Sequence, residues 1–256
     1  METLIVKRSA GVVTVTLNRP EKRNAINSVM WQELLSVFGD VAINPDDRVL
    51  VMAGAGGAFC SGADLTDMAA DSRHELEKMR GVADVALALH RLPKPTIAKV
   101  GGVAAGAGAN LAFGCDLIVA SDEARFSEIF SLRGLSIDFG GSWLLPRLIG
   151  LHKAKELAYF AEIISAEEAH VMGLVNRLVP SNQLDALVDE WSAKLSLGPP
   201  LALSMTKTML NQSFATSMDQ ALEDEARCQT VNFASRDTAE AMAAFIQKRT
   251  PSFEGR

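Results

Sequence analysis

Two clusters of small residues mark where the backbone of this 256-residue chain could itself do chemistry: Gly54-Ala55-Gly56-Gly57-Ala58 and Gly101-Gly102-Val103-Ala104-Ala105-Gly106-Ala107-Gly108-Ala109. Each follows a short apolar run, Val49-Leu50-Val51-Met52 in the first case and Thr96-Ile97-Ala98-Lys99-Val100 in the second. Glycine beyond a strand end lets main chain approach a ligand closely. A helix beginning near Ala107 leaves its first N–H groups unpaired and pointing outward. If the first loop supplies a second such amide, the pair can hold a developing oxyanion. The same glycines would equally serve tight strand-to-helix packing, and spacing alone leaves both readings open.

Other chemistries are argued against. Neither cluster contains G-x-G-x-x-G, and no Gly-Lys-Ser/Thr follows to complete a phosphate loop. G-x-S-x-G is missing, which weakens a serine hydrolase reading. His74, His90, His152 and His170 all fall in expected helices, and no two stand at metal-ligand spacing, so no metal is expected. Cys60, Cys115 and Cys228 are an odd, sparse set, which suggests free thiols in a reducing compartment. With 25 basic and 31 acidic side chains, a net charge of −6 and no Lys/Arg block, neither nucleic acid nor an anionic membrane is expected as the main partner. The longest central charge-free stretch, residues 100–115, is 16 residues long with five glycines, which is short for a membrane span. The chain reads as cytoplasmic.

Around the two clusters the pattern is that of a globular protein, 48% hydrophobic and 22% charged. A chain this long can bury a sizeable core without a metal or disulfide. Leu4-Ile5-Val6 and Val12-Val13-Thr14-Val15-Thr16-Leu17 read as a hairpin turning at Ser9-Ala10-Gly11. Ser28 can cap a helix running to Ala42. Apolar residues at helical spacing predict a helix over residues 72–92, ended by Pro93 and Pro95. Leu117-Ile118-Val119-Ala120 and Leu174-Val175-Asn176-Arg177-Leu178-Val179 are further strand candidates. Helix, strand and glycine loop recur, which predicts an α/β core of stacked similar units occupying residues 1–197. After Gly198-Pro199-Pro200 only helices are expected, at residues 201–212, 217–233 and 238–248. Residues 198–256 therefore read as a helical oligomerisation region whose exposed apolar faces suit subunit contacts.

Phe59-Cys60-Ser61-Gly62-Ala63-Asp64-Leu65 resembles the F-x-x-G-A-D-[IL] motif of the crotonase (enoyl-CoA hydratase/isomerase) superfamily. Val103 to Asn110 followed by Cys115-Asp116 is similar to the family's second motif. Arg19-Pro20, Arg23-Asn24-Ala25, Gly140-Gly141, Leu148-Ile149-Gly150 and Lys248-Arg249 extend the resemblance over nearly the whole chain. The resemblance implies an α/β spiral of ββα units with a C-terminal helical trimerisation region, assembled as a homotrimer or a dimer of trimers. It implies an acyl-CoA thioester substrate and no separate cofactor, coenzyme A being part of the substrate. By the same carry-over, the N–H groups of Ala63 and Ala107 form an oxyanion hole for the thioester oxygen. Arg23, Ala25, Ser61, Ala63, Asp64 and Leu65 would line the CoA site together with Gly106, and residues 66–79 would shape the acyl pocket. Phe233 and Lys248 would reach the CoA bound to a neighbouring subunit.

One departure from the family pattern bears on the reaction. Hydratases of this family use two glutamates, and those positions are occupied here by Asn110 and Phe130. Neither can take a proton, whereas hydration needs a base for water and an acid for carbon. Asp138, before Phe139-Gly140-Gly141, matches the aspartate of isomerase members of the family, such as the 1,2-epoxyphenylacetyl-CoA isomerase type. That likeness implies an acid/base role for Asp138 in moving a double bond. Its apolar neighbours Phe130, Ile137 and Phe139 should raise its pKa. An aspartate before Gly-Gly could instead cap the helix containing Trp143. Glu128 reads as a surface or structural charge, or as a partner that restores an acid pair with Asp138. A hydratase with rearranged acids and a non-catalytic acyl-CoA-binding protein remain the competing readings.

Overall fold

The expected N-terminal hairpin is β1 (Leu4–Ser9) paired antiparallel with β2 (Val12–Leu17) in the computed structural model, which describes residues 1–70 and 72–256. Helix α1 (Ser28–Ile43) follows, but its cap is Asn27 and not Ser28: the Asn27 side chain accepts a hydrogen bond from Met30 N at 2.9 Å. After β3 (Val49–Gly54) comes a short helix, α2 (Leu65–Ala70), which apolar spacing did not suggest. Within residues 66–79, residue 71 lies outside the described residues. Helix α3 (Glu75–His90) begins three residues later than its pattern, because the His74 ring accepts from Leu76 N and caps it from outside. His74 is thus a cap and not a helical residue.

The chain then alternates between two sheets. β4 (Thr96–Val100) leads to β5 (Val103–Ala105) and α4 (Ala107–Phe113), and β6 (Leu117–Ser121) leads to β7 (Arg125–Ser127). A 3₁₀ turn at Ile129–Arg133 precedes α5 (Gly141–Phe160), which is broken at Gly150. β8 (Ile164–Ser165), α6 (Ala166–Met172), β9 (Arg177–Val179) and α7 (Leu184–Ser196) complete this part. The last expected strand is shortened to residues 177–179, because Asn176 bonds Ile118 through its side chain as well as its main chain. Helices α8 (Pro200–Gln212), α9 (Met218–Ala234) and α10 (Arg236–Gln247) end the chain.

The larger sheet has the order β1-β2-β3-β4-β6-β9, parallel after the first pair; the smaller is β5-β7-β8. Strands β3 and β6 bury residues on both faces, which explains their nearly unbroken apolar runs. Leu50, Met52 and Ala98 point into the main core with α1 and α3 residues such as Leu34 and Leu89. Val49, Val51, Ile97 and Val119 pack on the opposite face against Leu184 and Val188 of α7. This two-sided sheet holds the loops leaving β3 and β4 at one edge of the small sheet.

Candidate active site

The first glycine loop runs alongside β5. Cys60 N donates to Val103 O at 3.0 Å, and Ala105 N donates to Cys60 O at 2.9 Å. Gly62 has φ +105°, and a Cβ built there would stand 3.0 Å from Ala105 O and 3.9 Å from Ala107 N. The two loops therefore meet backbone to backbone. A Cβ on Gly108 would fall 2.4 Å from Cys60 O, so the first turn of α4 lies directly on the first loop. Ala107 opens α4, and its N–H has no helical acceptor. Neither it nor the Ala63 N–H finds a backbone acceptor among the described residues.

A third strand of backbone supports this pair. Ile26 N donates to Gly62 O and Asp64 N to Ile26 O, both at 2.8 Å, which lays residues 23–26 beside 61–64. Asn24, fully buried, donates through its side chain to Ala55 O and Ala58 O and so ties the first cluster down. Asp64 pairs with Arg19 at 3.0 Å; burial opposes its charge, but the Arg19 and α2 hydrogen bonds prevail and hold its carboxyl below the usual range. Asp116 binds Thr96 and Lys207, the latter at 2.8 Å, and joins β4 to α8. Both aspartates are structural joints.

The opposite wall carries the acid. Asp138 does not cap α5: its N-cap is Gly140, with no side-chain hydrogen bond, and Asp138 Oδ1 is buried without a partner. The Asp138 carbonyl does the local work, accepting from Gly141 N at 2.9 Å and from Asn110 Nδ2 at 3.0 Å. Phe139 sits at φ +47°, a conformation that costs an aromatic residue about 1–3 kcal/mol. Its ring stacks on Trp31 at 5.5 Å, which fixes the turn. Burial pushes the Asp138 carboxyl up to about 6.

Ala63, Ala107, Gly62, Gly106, Phe130 and Asp138 line one cavity of ≈ 470 Å³. A larger one of ≈ 980 Å³ extends between α3 and α8, lined by Val82, Ala86, Leu87, Phe139, Trp143 and others. Met79, Ile137 and Asp138 belong to both. Asp138 is the only acid lining either cavity among the described residues.

Of the residues expected from sequence, Ser61, Ala63, Leu65, Gly106, Ala107, Phe130 and Asp138 converge on the smaller cavity. Arg23 and Ala25 lie beside it in sequence pairing, through Ser61 N to Arg23 O at 3.0 Å. Asn110 does not line it; fully buried, it stands behind the wall. Phe233 is 72% exposed and Lys248 is also exposed, and neither touches the cavities within this chain. Glu128 is no surface charge: only 2% exposed, it accepts from Asn110 Nδ2 at 3.2 Å. Burial pushes its carboxyl up to about 8, the Asn110 bond opposing this and the Asp138 charge adding to it.

Two amides without a backbone acceptor and a buried carboxyl share the wall of one cavity, and groups of these kinds can hold an oxyanion on a carbonyl and move a proton at a neighbouring carbon. The Enoyl-CoA hydratase/isomerase family profile matches residues 7–256, and the chain belongs to this family. It is an acyl-CoA enzyme of that family. It is similar to the 1,2-epoxyphenylacetyl-CoA isomerase of Escherichia coli K12, 36% identical with 100% of both chains covered. It is nearly as similar to the 2,3-dehydroadipyl-CoA hydratase of the same organism, 35% identical, again with 100% of both covered. Among solved structures, an enoyl-CoA hydratase from Bacillus anthracis superposes with a TM-score of 0.93 at 30% identity, covering 99% of this chain and 100% of that one. An isomerase and a hydratase at equal distance leave the reaction to be argued from the site's own residues.

Proposed function

We propose that this protein shifts a double bond within an acyl-CoA thioester, with Asp138 moving the proton and the amides of Ala63 and Ala107 holding the enolate. The observation that carries this reading is the single acid on the cavity wall. In a 3-enoyl-CoA, the Asp138 carboxylate takes a proton from C2, and the C–H electron pair spreads into a dienolate. Its oxygen accepts hydrogen bonds from the two amides. The protonated Asp138 then delivers the proton to C4, leaving the double bond between C2 and C3. One acid/base group suffices for this cycle, whereas hydration also needs a base for water. Glu128 does not supply that base in this reading, because it lies behind Asn110 and lines neither cavity.

The thioester end occupies the smaller cavity and the acyl tail continues past Asp138 into the larger one, whose volume suits a long or ring-bearing group. A homotrimer or dimer of trimers completes the site, with Phe233 and Lys248 contributed by a neighbouring subunit. Exposed apolar side chains on α9 and α10, among them Met218, Phe245 and Ile246, support subunit contact there.

Offering a 2-enoyl-CoA and a 3-enoyl-CoA in heavy water and following both by NMR tests the proposal. Migration and deuterium exchange in the 3-enoyl ester, abolished by Asp138→Asn, are expected. Hydration of the 2-enoyl ester without migration would establish the hydratase reading, and tight binding with no product the non-catalytic one.

A further inference from the structure

Three buried polar atoms without partners come from residues joined at one point: Asn110 Oδ1, Glu128 Oε1 and Asp138 Oδ1. The joint is Asn110 Nδ2, which donates to Glu128 Oε2 at 3.2 Å and to the Asp138 carbonyl at 3.0 Å. The Gly141 main chain lies close against this joint, since a Cβ built there would stand 2.5 Å from both Asn110 Oδ1 and Nδ2. Native interiors rarely leave a carboxyl this buried and half-satisfied without a reason.

We propose that Glu128 is a positioning residue that acts on Asp138 through the Asn110 side chain. The inference rests on Asp138 being the base of the proposed reaction. Glu128 anchors one side of the Asn110 amide, and the amide's other bond holds the main chain of Asp138 against the first turn of α5. A shift at Glu128 is therefore passed to the carboxyl that must meet the substrate carbon, and small misplacements of a reacting group are costly.

Charge travels the same route. Asp138 is the charged side chain that acts on Glu128. Arg125 and Arg133, its basic neighbours along the chain, are exposed, and Glu128 forms no ion pair among the described residues. With Glu128 neutral, Asp138 is the sole negative charge of the site above about pH 6. Ionisation of Glu128 near about pH 8 puts a second, uncompensated negative charge behind it. That charge opposes both an ionised Asp138 and a neighbouring enolate, so activity is confined between the two titrations.

The test compares the native chain with Glu128→Gln and Glu128→Leu in deuterium exchange of a 3-enoyl-CoA between about pH 5 and 9. The native profile is expected to be bell-shaped. Glu128→Gln keeps the acceptor for Asn110 and should retain most of the rate at neutral pH while losing the alkaline limb. Glu128→Leu should lower kcat about 10- to 100-fold with KM unchanged. An unaltered alkaline limb in Glu128→Gln, or a native rate in Glu128→Leu, overturns the proposal. Carbon-13 NMR titration of labelled carboxyls reads the coupling without turnover. Glu128→Gln should remove the upper titration, and Asp138→Asn should move that of Glu128 downward. A Glu128 titration that ignores Asp138→Asn overturns the coupling even if exchange occurs. A coupled titration without exchange leaves the pair standing and refutes the isomerase reading alone.

Discussion

The two walls of the active site are built from different materials. One is backbone: the Ala63 and Ala107 amides, held by main-chain hydrogen bonds between residues 23–26, 60–64 and 103–107. The other is side chain: Asp138, aimed by the Asn110 amide, the Phe139–Trp31 stack and buried Glu128. The amide wall depends on glycines that permit close approach and is indifferent to most side-chain chemistry. The acid wall depends on individual functional groups, so it is where members of one fold can differ in reaction.

Breaking the acid wall should have the largest effect. Asp138→Asn keeps the shape and removes the base, so exchange should fall by about 10²–10⁴-fold while the affinity for an unreactive acyl-CoA, measured by calorimetry, is unchanged. Affinity lost in parallel would make Asp138 a binding group and remove the contrast between the walls.

The amide wall can be broken by a substitution that alters one N–H. Ala107 is the first residue of α4, a position where proline is tolerated because its amide has no helical acceptor. Ala107→Pro should therefore keep its circular dichroism spectrum and lose about 10²–10³-fold in turnover. Native turnover in a folded Ala107→Pro would exclude that amide from the oxyanion site.

A third variant probes the cavity both walls open into. Ala86 lines the larger cavity on α3, away from the amides. Ala86→Trp should reduce kcat/KM for a long or ring-bearing acyl-CoA by about 10–100-fold and leave a short-chain ester nearly untouched. Equal losses for both would place the acyl tail elsewhere.

The contrast also explains what could be read from the sequence. Strands β3 and β4 announce themselves as apolar runs, and the glycines after them announce close approach, so an α/β core with closely approaching loops was legible from pattern. The spiral and the choice of the Ala63 and Ala107 amides came only through the motif resemblance. The acid wall was legible only in part. Asp138 stood out by its motif, yet its alternative as a helix cap could be rejected only once its carboxyl was seen to cap nothing. Glu128 stayed open between a surface charge, a structural charge and an acid partner, because charge usually signals solvent and its enclosure involves Asn110 of α4, 18 positions away in sequence. Asn27 displaced Ser28 as a cap because both are good cap residues and one register of the chain decides between them. Local pattern identifies elements; it does not identify which polar group is enclosed when they meet.

The smallest effect concerns stability and sharpens the acid wall directly. Glu128 titrates near its ordinary 4.5 when unfolded and near about 8 when folded, mainly because burial disfavours its charge. Its neutral form is compatible with the fold, so its contribution is fully present below about pH 4.5 and is lost as pH rises through about 8. Between these values the unfolded chain releases a proton that the folded chain retains, which pulls the equilibrium toward unfolding. Asp138, raised from 3.8 to about 6, acts in the same direction over a lower range. Glutamine cannot ionise, so Glu128→Gln escapes the larger of these penalties. Its melting temperature should match the native protein near pH 4.5 and exceed it by roughly 5–10 °C near pH 8, as a penalty of a few kcal/mol implies. A difference that stays flat across this range would mean that Glu128 is ionised in the folded protein, and the acid wall would then carry two charges where the proposed mechanism requires one.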